Sequence, residues 1–172
     1  MVDIPNQPDW VTKIADTNMF IGMVANEWNK MEYGMAFVAA SLMGSAVPIA
    51  RITLYAMNPP ARRDYLYALL TELPWKGSPI AAKVTKYVDE FERLRKLRND
   101  IVHGRWNFAV NADADTATAM LTVLKGRAEP KEVTTPEQTV TIMRAINDIQ
   151  ALNSQSHSLG DELRSLAEAM RR

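Results

Sequence analysis

The sequence predicts a mainly helical protein with a small β-hairpin before its C-terminal helix. Apolar residues recur at three- and four-residue steps through several long segments, which is the period of an amphipathic helix. Strand-like content flanks a polar turn in only one region, residues 106–124. With 172 residues and 47% apolar side chains, the chain is long enough to bury a core without cross-links.

The first predicted helix starts at Asn18 and ends or bends at Gly44 and Pro48. Residues 1–17 contain two prolines and scattered polar side chains, so we predict an irregular N-terminal arm there. A single domain is predicted over residues 18–172. The apolar stripe of the first helix comprises Ile21, Val24, Ala25, Trp28, Met31, Met35, Val38, Ala39 and Leu42.

Prolines and glycines divide the middle of the chain into shorter helices. We predict two of them, over residues 49–57 and 62–73. A longer helix follows, with Ser78 as N-cap, Pro79 at its first position and Gly104 as its stop. Its apolar stripe comprises Ile80, Val84, Tyr87, Phe91, Leu94 and Ile101.

The C-terminal part is expected to form the hairpin and a long helix. Residues 106–110 and 120–124 are the two predicted strands. Residues 135–137, Thr-Pro-Glu, are typical of a helix start. Polar residues and a glycine over 154–160 weaken the apolar pattern, so the last segment is either one long bent helix or two helices.

Composition excludes several classes of protein. Twenty basic and twenty acidic residues cancel, which argues against a broad electrostatic surface for duplex nucleic acid. Without cysteine, and with only His103 and His157 as imidazoles, a zinc site is not expected, although carboxylate sites for magnesium or calcium stay open. We predict no cofactor. No signal peptide or bilayer-spanning apolar run is recognisable, so we expect a cytoplasmic protein that does not contact membranes.

Residues 98–103 carry polar side chains that packing alone does not require. Arg98 lies in the apolar stripe of its own helix, where a guanidinium is costly unless it is paired or faces a solvent-filled cleft. His103 stands at the helix end. Because five residues turn a helix by about 140°, the two side chains are expected to diverge, and to meet only at a loosened helix end or across a dimer axis.

An imidazole and a guanidinium together suit cleavage of RNA by its own 2′-hydroxyl. Neutral His103 would take the hydroxyl proton, and Arg98 would donate paired hydrogen bonds to the phosphate as charge builds. Asn99 is a candidate to bind phosphate or to orient His103. The alternative is structural: an ion pair of Arg98, with His103 stabilised by the helix dipole.

The segment Leu97-Arg98-Asn99-Asp100-Ile101-Val102-His103-Gly104 resembles the R-N-x-x-x-H motif of the HEPN family. The resemblance implies an all-α, up-and-down helical bundle and a homodimer that joins two motif segments in one cleft. It also implies metal-independent endoribonuclease activity, often of a toxin or defence effector with an antitoxin or other protein partner. A catalytically silent dimer that binds RNA or a protein is the family alternative. Arg105 stands where one toxin subgroup has a nucleotidylated tyrosine, which puts that regulation in doubt.

Three further side chains complete the candidate site: Glu32, Arg95 and Arg105. Glu32 interrupts the apolar stripe of the first helix, and the resemblance to HEPN nucleases with an added glutamate makes it a catalytic candidate. We therefore predict that the first helix packs on residues 87–97, with Glu32 near Arg98 or His103. The alternative for Glu32 is a structural ion pair with Arg98 or another arginine.

The basic run around the motif supplies candidate RNA-binding residues, Arg95 and Arg105. Acidic residues interleave this run, so a solvated charged face is the alternative interpretation. A third hypothesis of a different kind is a helical protein that binds a small molecule. The sequence contains no Gly-rich phosphate loop that would support it.

Overall fold

The computed structural model of the chain describes residues 8–72, 75–111, 113–125, 131–137 and 139–171. This described part is mainly helical, as predicted, with five helices and three strands. In chain order they are α1 Asp9–Met43, α2 Val47–Tyr55, α3 Pro59–Glu72, α4 Pro79–His103, β1 Arg105–Asn111, β2 Thr116–Lys125, β3 Lys131–Glu137 and α5 Thr139–Ala169.

Helix α1 begins earlier than predicted. It starts at Asp9, so residues 9–17 are helical and the irregular arm predicted there is wrong, while residues 1–7 lie outside the described residues. An acidic residue in the first turn is favourable because it faces the positive end of the helix dipole. The buried hydroxyl of Thr17 donates to the carbonyl of Lys13 at 2.8 Å, so it fits the buried stripe of the helix. Toward the N-terminus the stripe continues from Thr17 to the half-buried Ile14 and Trp10.

The stretch Asn58-Pro59-Pro60, predicted to stop α2, also starts α3. Asn58 Oδ1 accepts a hydrogen bond from the N–H of Ala61 at 3.0 Å, as an N-cap does. The two prolines occupy the first turn, where no N–H donor is needed. Gly44 follows α1 with φ of +62°, which confirms the predicted stop.

Within the described residues no single helix has both the length and the apolar character to cross a membrane; α1 and α2 meet that test only as a bent pair.

Helix α4 follows the prediction closely. Ser78 Oγ accepts from the N–H of Ala81 at 3.4 Å, Pro79 opens the helix and His103 ends it. Helix α5 is one element, not two.

The predicted hairpin is present and has a third strand. The sheet order is β1-β2-β3, antiparallel throughout, with Trp106 opposite Leu121 and Pro136 opposite Met120. The helix start predicted at 135–137 is wrong, because these residues end β3 and α5 begins at Thr139. β-Branched residues precede Pro136, and a proline is tolerated on an edge strand such as β3.

The chain divides by its internal contacts into two compact units. Unit 1 comprises Met1–Asn26 and Lys96–Asn147, and unit 2 comprises Glu27–Arg95 and Asp148–Arg172. Buried residues of unit 1 include Val24, Ile101, Ala117, Leu121 and Ile142; those of unit 2 include Met31, Leu66, Tyr87, Leu94 and Leu163. In unit 2 the rings of Trp28 and Phe91 lie 4.8 Å apart, so α1 packs against α4 as predicted.

Candidate active site

The C-terminal end of α4 carries the motif, and its side chains contact one another. Arg98 Nη1 donates to Asn99 Oδ1 at 3.1 Å and contacts His103 Nε2 at 2.9 Å. The prediction that Arg98 and His103 diverge is therefore wrong. Five residues rise by about 7.5 Å along a helix, and the long arginine side chain covers that distance and the rotation. The two groups meet within one chain, without a dimer axis.

The Arg98–His103 contact is compatible with one tautomer of the imidazole. A guanidinium has five donors and no acceptor, so His103 Nε2 must be the acceptor. The hydrogen bond therefore exists only with a neutral imidazole that carries its proton on Nδ1. His103 is exposed, whereas Arg98 is half-buried and its Nε has no hydrogen-bond partner among the described residues. Arg98 thus engages the lone pair that a general base would use.

Asn99 orients Arg98. The sequence analysis assigns Asn99 either to phosphate or to His103, but its Oδ1 accepts from the guanidinium. Arg98 Nη1 has two hydrogens, and these two contacts use both of them. Asn99 and His103 thereby hold the Nη1 end of the guanidinium.

Gly104 and Trp106 fix the end of the helix against the sheet. The N–H of Gly104 donates to the Asp100 carbonyl at 3.0 Å, and a Cβ at Gly104 would overlap that carbonyl and the Leu121 side chain. Glycine is required here by the close approach of β2. The indole N–H of Trp106 donates to the carbonyl of Ile101 at 2.7 Å and so pairs one of the last helix carbonyls.

A polar cleft of about 360 Å³ lies beside the motif in unit 1. Its walls include Asn99, Asp100, His103, Arg105, Thr122 and Val123. Sequence reasoning missed the last two, which lie on β2. The hairpin register brings Thr122 opposite Arg105, so a correct strand alignment was the signal that could have found them.

Glu32 belongs to unit 2 and has partners there. The Tyr55 hydroxyl donates to Glu32 Oε2 at 3.0 Å, and Arg62 Nη1 lies 3.7 Å from Glu32 Oε1. Burial, followed by the Glu32 carboxylate, raises the pKa of Tyr55, so the phenol keeps the proton it donates. These contacts agree with the alternative of an ion pair with another arginine. The catalytic role of Glu32 stays a prediction.

The two predicted RNA-binding arginines differ in their surroundings. Arg105 is exposed and lines the cleft. Arg95 belongs to unit 2, where its Nε donates to Glu92 Oε2 at 3.0 Å. Nearby, Arg93 pairs with both Glu90 and Asp148. Both arginines before the motif therefore form ion pairs, whereas Arg105 lines the cleft beside His103.

Within the described residues, no three His, Asp or Glu side chains are grouped so as to hold a metal ion. Fold and cleft together define a mainly helical protein with an arginine–histidine pair at the end of one helix. In comparisons with known proteins, no family model matches the chain, and neither a curated protein nor a solved structure matches it.

Proposed function

We propose that this chain is a metal-independent endoribonuclease of the HEPN type, with Arg98 and His103 as its catalytic pair. The observation that carries the proposal is the 2.9 Å contact between Arg98 Nη1 and His103 Nε2 beside an open polar cleft. A proton acceptor and a donor suited to phosphate lie side by side there. Attack of RNA's own 2′-oxygen on phosphorus is accelerated by such a pair of groups.

The reaction uses the 2′-hydroxyl of the substrate as nucleophile. Nε2 of His103 takes the hydroxyl proton as O2′ attacks phosphorus, and the bond from phosphorus to the 5′-oxygen of the next nucleotide breaks. That oxygen takes a proton from water. Arg98 donates to the non-bridging phosphate oxygens, where negative charge accumulates. The products are a 2′,3′-cyclic phosphate and a 5′-hydroxyl end.

Substrate binding also frees Nε2 of His103 from its contact with Arg98. In the free protein the Nε2 lone pair accepts from Arg98 and is not available for proton transfer. A phosphate dianion or diester oxygen competes for the same Nη1 hydrogen because charge-assisted bonds to phosphate are stronger than bonds to a neutral imidazole. Once Arg98 turns to the phosphate, Nε2 can accept the 2′-hydroxyl proton. Arg105, on the cleft wall, is placed to bind an adjacent phosphate.

The homodimer belongs to this proposal through the family resemblance alone. Because Arg98 and His103 meet within one chain, a dimer is not needed to bring them together. Sedimentation equilibrium at micromolar concentration distinguishes a dimer from a monomer of 19.3 kDa. An antitoxin or another protein partner is likewise part of the proposal through the resemblance.

The test is cleavage of single-stranded RNA in the presence of EDTA. We expect products with 2′,3′-cyclic phosphate ends, and no cleavage of an RNA with 2′-deoxyribose at the cut site. His103→Ala should abolish cleavage, while the matched control His157→Ala, at an exposed histidine of unit 2, should cleave as the wild type does. Cleavage that persists in His103→Ala, or that requires added magnesium, contradicts the mechanism. Inactivity on diverse RNAs supports the silent binding module.

A further inference from the structure

Unit 2 contains a second polar cleft, near the end of α5, that the proposed nuclease reaction does not use. It has a volume of about 250 Å³, and its polar lining comes from Ser41, Ser45, Arg164, Glu168 and Arg171. The cleft carries two guanidinium groups and one carboxylate. Its lining therefore has a net positive charge.

The two arginines are held without ion pairs. The guanidinium carbon of Arg164 lies 4.2 Å from the centroid of the Phe37 ring, so the ring covers one face and the N–H edge stays available for a ligand. Arg171 Nη2 lies next to Gly44, where an added Cβ would come within 3.3 Å of it. Among the described residues, neither arginine lies within ion-pair distance of an acid, Glu168 included.

A buried hydroxyl in the same cleft also lacks a partner. Ser45 Oγ is inaccessible to solvent and has no hydrogen bond within the described part of the chain. Its neighbour Ser41 differs, because its Oγ donates to the Phe37 carbonyl at 3.0 Å. A buried hydroxyl without a partner is destabilising, because it loses its hydrogen bonds with water and gains none in the protein. Rotation of the Ser45 side chain toward the cleft would let an anionic oxygen there supply the missing acceptor.

An apolar cavity adjoins this cleft. It has a volume of about 380 Å³ and is lined by Leu42, Met43, Trp75 and Met170, together with residues that line both spaces, among them Gly44 and Arg171. The indole N–H of Trp75 donates to the Leu42 carbonyl at 3.3 Å, so the polar atom of this ring is already paired. The lining that remains suits a hydrocarbon or a ring rather than a second charge.

We propose that the two spaces form one binding site for a small amphipathic anion, a carboxylate or phosphate ester attached to an apolar chain. Arg164, Arg171 and Ser45 bind the head group, and the apolar group lies against Trp75 and Met170. The site is independent of the nuclease proposal, since it belongs to unit 2 and the Arg98–His103 cleft belongs to unit 1. The net positive charge of the cleft favours a ligand with a negatively charged head group. The adjoining apolar lining favours an apolar remainder of the molecule.

Isothermal titration calorimetry on the whole chain tests the site with four probes: octanoate, octyl phosphate, octanol and acetate. We expect one or both of the long-chain anions to bind, and octanol and acetate to bind much more weakly. The comparison of octanoate with octyl phosphate identifies the head group. Arg164→Gln and Arg171→Gln should each weaken binding by at least about tenfold, since each removes a charged hydrogen bond.

The matched control is Arg144→Gln, at an exposed arginine of α5 that lines neither cavity. It should bind the long-chain anion as the wild type does, and circular dichroism should show all three variants folded. The proposal is overturned if octanol binds as tightly as the anions, if both cleft variants keep wild-type affinity, or if neither long-chain anion binds.

Discussion

Arg98 Nη1 lies 2.9 Å from Nε2 of His103, five residues further along the same helix. In this contact the positively charged guanidinium of Arg98 donates to the lone pair on Nε2 of His103. Any proton that reaches Nε2, from solvent or from a substrate, must first displace the guanidinium. The pair is therefore sensitive to ligands that compete for Arg98.

The tautomer of His103 is open to direct measurement. We expect ¹⁵N NMR at alkaline pH to show a protonated Nδ1 and an unprotonated Nε2, because Arg98 has only donors to offer. Arg98→Met removes the donor and should shift the population toward the Nε2–H form. His157 serves as a control in the same spectra. An Nε2–H tautomer in the wild-type protein would show that the contact does not persist in solution.

Replacing the guanidinium by an ammonium tests the role proposed for Arg98. Arg98→Lys should reduce the rate of RNA cleavage by about a hundredfold or more, because a point charge cannot reproduce paired donors on the phosphate. The control is Arg63→Lys, at an exposed arginine paired with Asp64, which should leave the rate unchanged. Single-turnover kinetics with excess protein measures both. Wild-type rates for Arg98→Lys would remove the arginine from the mechanism.

Two glycines of unit 1 should respond oppositely to alanine. Gly104→Ala places a Cβ against the Asp100 carbonyl and Leu121, and should lower the free energy of unfolding by about 1–3 kcal/mol. Gly22 lies within α1, and no atom of the described residues lies within 4 Å of an added Cβ, so Gly22→Ala should raise that free energy by about 0.5–1 kcal/mol through helix propensity. Urea denaturation measures both changes. Equal effects of the two substitutions would refute the close approach of β2.

The ion pair between Glu90 and Arg93 predicts a dependence of stability on pH. The hydrogen bond from Arg93 holds the pKa of Glu90 below its ordinary value of 4.5. A depressed pKa stabilises the fold above the pKa of the unfolded chain, and this stabilisation is lost as the pH falls through the folded pKa. The Glu90 and Arg93 side chains are 40% and 51% exposed, so solvent screening should limit the effect to less than about 1 kcal/mol.

The measurement is urea denaturation of the wild type and Glu90→Gln across a series of pH values. The substituted protein should be less stable near neutral pH, and the difference should disappear in acid. Added salt should reduce the difference at neutral pH. A difference that stays constant down to acid pH would show that the glutamine acts through packing instead of charge.

The sequence predicts element type correctly wherever an apolar stripe is long, as in α1, α4 and α5. It fails at two places where proline is the main signal, although Pro79 is read correctly as the start of α4. Proline fits the start of a helix, an edge strand and a loop alike, so Pro8 before α1 and Pro136 in β3 are both misread. The third strand adds a partner for β2 that local pattern alone does not reveal.

For the candidate site, the sequence predicts Arg98, Asn99 and His103 at the end of α4 but not their contact. A helical wheel gives only the direction in which a Cβ points. An arginine side chain extends well beyond its Cβ, so it can contact a residue whose own Cβ points elsewhere. Thr122 and Val123 are missed for another reason, because their place on the cleft wall depends on the register of β1 with β2. The two partners of Glu32 likewise come from α2 and α3, whose packing no local pattern shows.

The cleft beside His103 is built from one short stretch of chain, since each described residue that lines it falls within residues 99–123. Contacts between residues so near in sequence close small loops, which lose little entropy. A β-hairpin pairs within about 1–10 μs, far sooner than elements distant in sequence usually meet. The walls of this cleft can therefore come together early in folding, and their assembly depends mainly on the pairing of β1 with β2.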